Sequence, residues 1–253
     1  MQKIVIALDW TPNINHIGFF IARELGYYQD AGLDVKIIDP SEDNYAITPA
    51  KKVETGIADF ALCPMESIIS YKTKSNPFNL IATATIYKED LSAIVTLKDN
   101  GASSPKDLDN KVYASYQARY EDEIVKQMIR NDGGNGDIKI EYPEKLGIWE
   151  TLLKGKSDST WIFMNWEGVH AQEKGIDLNV FQMKDYAIPY SYSPVIAANA
   201  NLISKNKSSY SAFLTASKKG FLYAKDHPQQ TVEVLSKLLP ESDKDIDILK
   251  CVT

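Results

Sequence analysis

The sequence predicts an α/β fold with two lobes, each built on a mixed, mostly parallel sheet. Short apolar runs of strand length recur along the chain, and helical patterns such as residues 121–131 and 209–225 alternate with most of them. Alternating strands and helices are typical of parallel sheets covered by helices. Two segments, residues 87–91 and 186–194, look like crossings between lobes rather than ordinary loops.

These crossings define the predicted domain organisation. We expect residues 1–88 and 194–253 to form lobe 1, and residues 89–193 to form an inserted lobe 2. A double crossing forms a hinge, and a cleft between two lobes is a natural site for a small ligand. The predicted strands are residues 3–8, 34–38, 58–62, 80–86, 93–97, 111–115, 138–142, 160–163, 178–182 and 195–198.

Local signals set the ends of several helices. After the first strand and a polar turn, apolar residues at helical spacing predict a helix from Ile17 that Gly26 ends. Ser104 and Pro105 are a helix-start pair, with an acid at position 107. The glycines after Asp132 suit a left-handed cap.

Composition excludes some partners. The chain has 253 residues, 44% of them hydrophobic, and a net charge of −6 without a basic stripe, which disfavours nucleic acid and anionic membranes. No apolar run approaches the ~20 residues of a membrane span. The N-terminus has no signal-peptide pattern, so we expect a cytoplasmic protein if the chain is native as written, and an extracytoplasmic one if a signal was removed.

The two cysteines have different surroundings. Cys63 lies in an apolar run, which predicts a small buried side chain, and Cys251 lies in a polar tail. Their spacing neither requires nor excludes a disulfide, so cysteine usage does not define the compartment.

The turn after the first strand carries the richest set of ligand-binding side chains. Trp10 offers a stacking face, and Asn13, Asn15 and His16 offer hydrogen bonds to the edge of a planar, nitrogen-rich ring. The same residues also fit a structural role, with Trp10 in the core and His16 bonded to the backbone at a helix start.

Two segments resemble one family closely. Residues 9–33, DWTPNINHIGFFIARELGYYQDAGL, are similar to the W-x-P-x-x-x-H turn, aromatic helix end and GLD strand start of thiamine-pyrimidine precursor-binding proteins of ABC transporters and of the fungal thiamine pyrimidine synthases. Residues 155–175, GKSDSTWIFMNWEGVHAQEKG, resemble the family pattern in which a G-K-x-D strand leads into W-E-G. The resemblance implies a periplasmic-binding-protein-like fold (type II). It also implies that Glu167 accepts hydrogen bonds from an aminopyrimidine, a bidentate contact that suits a carboxylate.

Departures from the synthases favour binding over catalysis. The resemblance implies that a synthase needs a lysine and a histidine after its G-x-x-D strand, where residues 62–68 read LCPMESI. The phosphate loop of the synthases is replaced by SYQARY at 115–120, and their cysteine-rich iron segment by PYSYSP at 189–194. Without the lysine and histidine the synthase chemistry lacks its nucleophile and its source of ring atoms.

The predicted function is capture of a non-phosphorylated aminopyrimidine, of the hydroxymethylpyrimidine or formylaminopyrimidine type. A monomer, an ABC transporter membrane subunit as partner, no nucleic acid and no cofactor are expected. Two alternatives stay open: a synthase-like enzyme, and a binder of another planar or sulfonated solute. The predicted ligand-binding residues are Trp10, Asn13, His16, Glu66, Tyr116, Trp166, Glu167, Tyr186 and Tyr190.

No catalytic or metal-binding residues are predicted. Glu167 and His170 share a helix face, but one such pair is poor evidence for a metal. Family relatives continue with further helices beyond residues 241–244, so we expect that the C-terminal edge of lobe 1 is incomplete or trimmed.

Overall fold

The computed structural model of the chain describes residues 1–239 and 247. Contacts divide it into unit 1, Met1–Lys88 with Tyr192–Thr253, and unit 2, Glu89–Ser191. Both boundaries lie within the predicted crossing segments, and the hinge role of those segments stays a prediction. Cys251, on which the disulfide expectation depends, lies outside the described residues, as does nearly all of the chain end after residue 239.

All ten predicted strands overlap observed ones. They are β1 Gln2–Ala7, β2 Leu33–Ile38, β3 Phe60–Cys63, β4 Leu80–Thr85, β5 Ser92–Leu97, β6 Val112–Ala114, β7 Lys139–Glu141, β8 Ser159–Phe163, β9 Leu178–Phe181 and β10 Val195–Asn199. The helices are α1 Ile17–Glu24, α2 Tyr27–Asp30, α3 Pro49–Glu54, α4 Met65–Thr73, α5 Glu121–Asn131, α6 Ile148–Leu153, α7 Val169–Glu173, α8 Ala200–Ile203, α9 Lys207–Asp226 and α10 Pro228–Ser236. None of the helices among the described residues is long and apolar enough to cross a membrane.

Unit 1 contains a five-stranded sheet in the order β2-β1-β3-β10-β4. Strand β1 pairs in parallel with β2 and with β3, whereas β10 runs antiparallel to both of its neighbours. Only β10 therefore runs in the direction opposite to the other four strands of this sheet. The carboxyl ends of the other four point toward one edge of the sheet.

Unit 2 has a sheet of the same kind, in the order β7-β6-β8-β5-β9. Strand β6 pairs in parallel with β7 and β8, and β5 is antiparallel to β8 and β9. The predicted mixed, mostly parallel sheets are confirmed in both units. The helix expected after Ser104 is a single 3-10 turn, Pro105–Leu108, with the expected capping box.

Glycines let two helices of unit 1 approach closely. A Cβ atom on Gly220 of α9 would lie 2.0 Å from the Gly18 carbonyl oxygen of α1, and one on Gly18 would lie 2.2 Å from the Phe221 ring. Behind this contact, the Phe213 ring stacks on Phe60 of β3, with centroids 4.5 Å apart. The contact holds α1 against α9 and so fixes where the turn between β1 and α1 ends.

Replacing Gly220 tests this packing. A Gly→Ala change in a helix is normally stabilising by about 1 kcal/mol, but here the added methyl overlaps the α1 backbone, so we expect Gly220→Ala to lower the free energy of unfolding by about 1–3 kcal/mol. Urea unfolding followed by circular dichroism measures the change. The control is Lys219→Ala, at the exposed neighbouring position of α9. Equal stability of Gly220→Ala and wild type would contradict the close approach.

Candidate functional site

The unit 1 loop edge comprises the segments that follow β1, β2, β3 and β4 and the segment that precedes β10. Val195, the first residue of β10, lies opposite Cys63 at the end of β3 and opposite Thr85 at the end of β4. Because β10 runs against its neighbours, residues 192–194 come to the same edge as the turn 8–16. Ligands of open α/β sheets bind at such edges.

Asn13 and His16 lock the turn after β1. The Asn13 side chain accepts a hydrogen bond from Asn15 N at 2.8 Å, and His16 Nδ1 accepts one from Asn13 N at 3.2 Å. Since Nδ1 accepts, Nε2 carries the proton and donates to Asp9 Oδ1 at 2.8 Å. Asn13 is 3% exposed and His16 1%. A direct contact of either side chain with a ligand would therefore replace a bond within the turn.

Trp10 is the more accessible member of the turn. It is partly buried, and its ring lies 5.9 Å from that of Tyr45, tilted by 51°. The Tyr45 hydroxyl donates to the Asp9 carbonyl oxygen, which ties the segment after β2 to the turn after β1. The Trp10 and Tyr45 rings and the Asp9 backbone carbonyl thus form one polar and aromatic group.

Two further residues reach the same edge. Asn15 Oδ1 accepts a hydrogen bond from the Tyr87 hydroxyl at 3.0 Å, and Tyr87 follows β4. Glu66 is in the first turn of α4, just after β3. Burial raises the pKa of the Cys63 thiol, and the nearby Asp9 and Glu66 carboxylates raise it further. Cys63 is thus a buried neutral thiol, as the sequence predicts, and not a nucleophile.

A groove of about 740 Å³ lies elsewhere in unit 1, along β4 and α9. It is lined by Ile81, Thr83, Tyr210 and Leu214 among others, and by none of the predicted ligand-binding residues.

The unit 2 loop edge comprises the segments after β6, β7 and β8. These strands run parallel, and Ala114 lies opposite both Glu141 and Thr160. Tyr116 is in the segment after β6, and its N–H donates to Glu121 Oε1 at 3.0 Å. Glu121, the first residue of α5, also accepts from the Tyr113 hydroxyl at 2.7 Å. Burial raises the pKa of Glu121, and these hydrogen bonds oppose that rise.

Trp166 and Glu167 lie after β8 in a π-helical turn, Met164–Gly168, and not at the start of an ordinary helix. Trp166 is 6% exposed and Glu167 9%, and Glu167 Oε2 accepts a hydrogen bond from Phe163 N at 3.0 Å. Such turns often occur at functional sites, because the extra residue turns side chains toward a new direction. Here the carboxylate turns back toward the end of β8.

Tyr186 and Tyr190 pack against the core of unit 2. The Tyr190 ring lies 5.1 Å from that of Trp161 in an edge arrangement, and the Tyr186 ring lies 6.4 Å from that of Phe181. Burial raises the pKa of Tyr186. Both rings therefore have structural contacts, and their role at a ligand stays a prediction.

No cluster of metal-ligating side chains occurs among the residues that the structure describes. His170, which the sequence places near Glu167, accepts at Nδ1 a hydrogen bond from Trp149 Nε1 at 3.2 Å.

The structure thus brings Trp10, Asn13, His16 and Glu66 to the unit 1 loop edge, and Tyr116, Trp166 and Glu167 to the unit 2 loop edge. Sequence reasoning did not select Tyr45, Asp9 or Glu121. Tyr45 follows a parallel strand, which is a usable signal, but its turn has Asn44 and Tyr45 at positive φ without a glycine to mark it.

Comparison with known proteins assigns the family. A family model described as NMT1/THI5 like matches residues 13–231. The chain belongs to the NMT1/THI5-like family. The formylaminopyrimidine-binding protein of Halalkalibacterium halodurans is 23% identical over 236 residues, which cover 93% of this chain and 70% of that protein. The 4-amino-5-hydroxymethyl-2-methylpyrimidine phosphate synthase of Legionella pneumophila is 19% identical over 249 residues, which cover 95% and 75%.

Solved structures confirm the predicted fold class for this family member. The periplasmic aliphatic sulphonate binding protein SsuA from Escherichia coli aligns with a TM-score of 0.69 and 14% identity, over 95% of this chain and 80% of that one. The relatives of this chain thus carry the names of a binding protein and of a synthase, and the site residues must distinguish the two functions.

The cap at Asn13 supports the turn that presents Trp10. We expect Asn13→Ala to lower the free energy of unfolding by about 1 kcal/mol, because a backbone N–H at the start of the following 3-10 turn loses its hydrogen-bond acceptor. Asn13→Ser retains a capping oxygen and is the control. Urea unfolding of wild type and both variants measures the change. An equal loss of unfolding free energy in Asn13→Ala and Asn13→Ser would show that Asn13 does not stabilise the turn through its capping oxygen.

Proposed function

We propose that this chain is a solute-binding protein that captures a non-phosphorylated aminopyrimidine, of the hydroxymethylpyrimidine or formylaminopyrimidine type, as a thiamine precursor. The observation that carries the proposal is the group formed by the Trp10 and Tyr45 rings and the Asp9 backbone carbonyl. It offers an aromatic face for a flat ring at the edge where open α/β sheets bind their ligands. The relative that is named a formylaminopyrimidine-binding protein supports this choice of ligand.

An aminopyrimidine matches these groups chemically. Its flat ring stacks on an indole, and its exocyclic amine donates hydrogen bonds to a carboxylate. We assign stacking to Trp10 and the amine contact to Glu167. Because both His16 nitrogens are engaged within the turn, His16 and Asn13 are proposed to hold Asp9 and Trp10 in place and not to bond the ring edge.

Residues 62–68 support binding over synthesis. A lysine that forms a Schiff base must present a neutral amine, and this segment contains neither lysine nor histidine. Lys52, a buried lysine of α3, donates to the Ile47 carbonyl oxygen at 2.7 Å and pairs with Asp43 at 2.7 Å, so its amino group is already engaged by two oxygen atoms. Addition of pyridoxal phosphate is accordingly expected to give no aldimine absorbance beyond that of exposed lysines.

The proposal extends to the partner and the compartment. Delivery of a captured solute requires a membrane transporter, and we propose an ABC transporter subunit as the partner, an extracytoplasmic location, and a monomeric binding protein.

Calorimetric titration of the purified, ligand-freed protein tests the proposal directly. We expect heat from hydroxymethyl- or formylaminomethyl-aminopyrimidine and none from an alkanesulfonate. Trp10→Ala is expected to weaken binding by about 1–3 kcal/mol, which is the contribution of stacking a base on an aromatic ring. Trp10→Phe retains a ring and should lose less. No heat from either pyrimidine would refute the function, and heat from the sulfonate alone would favour a sulfonated solute.

A second variant tests the carboxylate on unit 2. Glu167→Gln is expected to weaken binding by about 1.5–3 kcal/mol through loss of a charge-assisted hydrogen bond. The control is Glu150→Gln, which removes an equal charge at an exposed position of α6 that pairs with Lys154. Unchanged affinity in a folded Glu167→Gln protein would remove Glu167 from the binding residues.

A further inference from the structure

The segment between β6 and α5 has the form of an anion-binding loop. A parallel strand leads through residues 115–120 into the N-terminus of an 11-residue helix. In α/β proteins, this arrangement commonly presents backbone N–H groups and the positive end of the helix to a phosphate.

In this chain, side-chain oxygens already occupy those donors. Tyr116 N donates to Glu121 Oε1 at 3.0 Å, Gln117 N to Ser115 Oγ at 3.1 Å, and Ala118 N to Glu121 Oε2 at 3.1 Å. Three consecutive N–H groups are thus satisfied from within the chain, two of them by one carboxylate. Gln117 has a φ of 63°, in the left-handed region that lets successive N–H groups converge.

The charge around the loop is also negative. Glu121, Asp122 and Glu123 form the first turn of α5. Asp122 accepts a hydrogen bond from Ser115 Oγ at 2.6 Å and one from the Tyr142 hydroxyl at 2.8 Å. Two cations are also present: Arg119 of the loop, whose guanidinium lies 5.1 Å from the Tyr120 ring centroid, and Lys145, which lies near Glu121. Burial lowers the pKa of Lys145, and attraction to Glu121 opposes that effect.

We propose that Glu121 is a specificity-determining residue, whose carboxylate takes the place of a phosphate in the loop after β6 and thereby excludes phosphorylated pyrimidines. Glu121 is 3% exposed, so it cannot move into solvent without breaking its bond to Tyr113. An incoming phosphate would find its N–H donors taken and would face a like charge, which disfavours the wrong partner strongly. This inference rests on the proposed function and names the chemical class that the site rejects.

The test compares hydroxymethyl-aminopyrimidine with its monophosphate by calorimetry. For wild type we expect the monophosphate to bind at least about 100-fold more weakly, since like charges in contact oppose binding. In Glu121→Gln, the amide can no longer accept from both N–H groups and the charge is lost. The ratio of the two dissociation constants, monophosphate over hydroxymethyl-aminopyrimidine, should then fall at least about tenfold, with little change in the affinity for hydroxymethyl-aminopyrimidine.

The matched control is Glu123→Gln, which makes the same charge change two residues away on the same helix. The Glu123 side chain is 64% exposed and pairs with Lys126 at 2.8 Å. The Glu123→Gln variant should leave the ratio of the two dissociation constants unchanged. Comparable binding of both pyrimidines to wild type would overturn the inference and the preference for a non-phosphorylated ligand while leaving pyrimidine capture itself intact, and this outcome does not depend on whether Glu121→Gln folds.

A second measurement separates the inference from the proposed function. Inorganic phosphate is titrated into labelled protein while the amide resonances of Tyr116, Gln117 and Ala118 are followed by NMR. Shifts in Glu121→Gln but not in wild type support the inference even when no pyrimidine binds. Equal shifts in both proteins, or none in a folded Glu121→Gln protein, overturn it.

Discussion

Parallel pairing of neighbouring strands is the constraint on which both loop edges depend. In unit 1, β1 pairs in parallel with β2 and β3, so Trp10, Tyr45 and Glu66 come to one edge although they are far apart in sequence. In unit 2, the pairing of β6 with β8 brings the segments after Ala114 and Phe163 together. The register is fixed by backbone hydrogen bonds, and the loops can vary without moving the edge.

Side-chain bonds then give each loop one conformation. The Asp59 carboxylate, just before β3, accepts from Val5 N of β1 at 2.8 Å and from the Tyr210 hydroxyl of α9 at 3.0 Å. It thus joins two strands and a helix below the edge. Above them, Asn13 and His16 close the turn after β1 with their own hydrogen bonds. A turn held in this way is preorganised, which reduces the ordering entropy that binding must overcome.

The sequence was a good guide wherever a pattern is local. Apolar runs located each strand among the described residues, and the breaks in helical spacing placed α5 at residues 121–131. The alternation of strands and helices predicted the α/β class, and the family resemblance implied the periplasmic-binding-protein-like fold. The bonds within the loops could not be predicted, because they join residues through three-dimensional geometry. His16 illustrates this: its residue type and the family resemblance predicted a contact with the ligand, which stays a prediction, while the structure adds that its two ring nitrogens bond Asn13 N and Asp9. The π-helical turn at Met164–Gly168 also has no local signal, because it depends on where the Glu167 carboxylate meets Phe163 N.

The same reasoning applies to Glu121. As a sequence feature it is an acid in the first turn of a helix, where a carboxylate is favourable for general electrostatic reasons. In the structure its two oxygens accept from Tyr116 N and Ala118 N across the loop, while Tyr113 donates from the strand below. Burial raises the pKa of Tyr113, and the adjacent carboxylate adds to that rise, so the hydroxyl stays protonated and remains a donor. We propose that an internal carboxylate and a phosphate compete for these N–H groups, so that one side chain decides which ligand class the loop accepts, without any change in strand order or core packing.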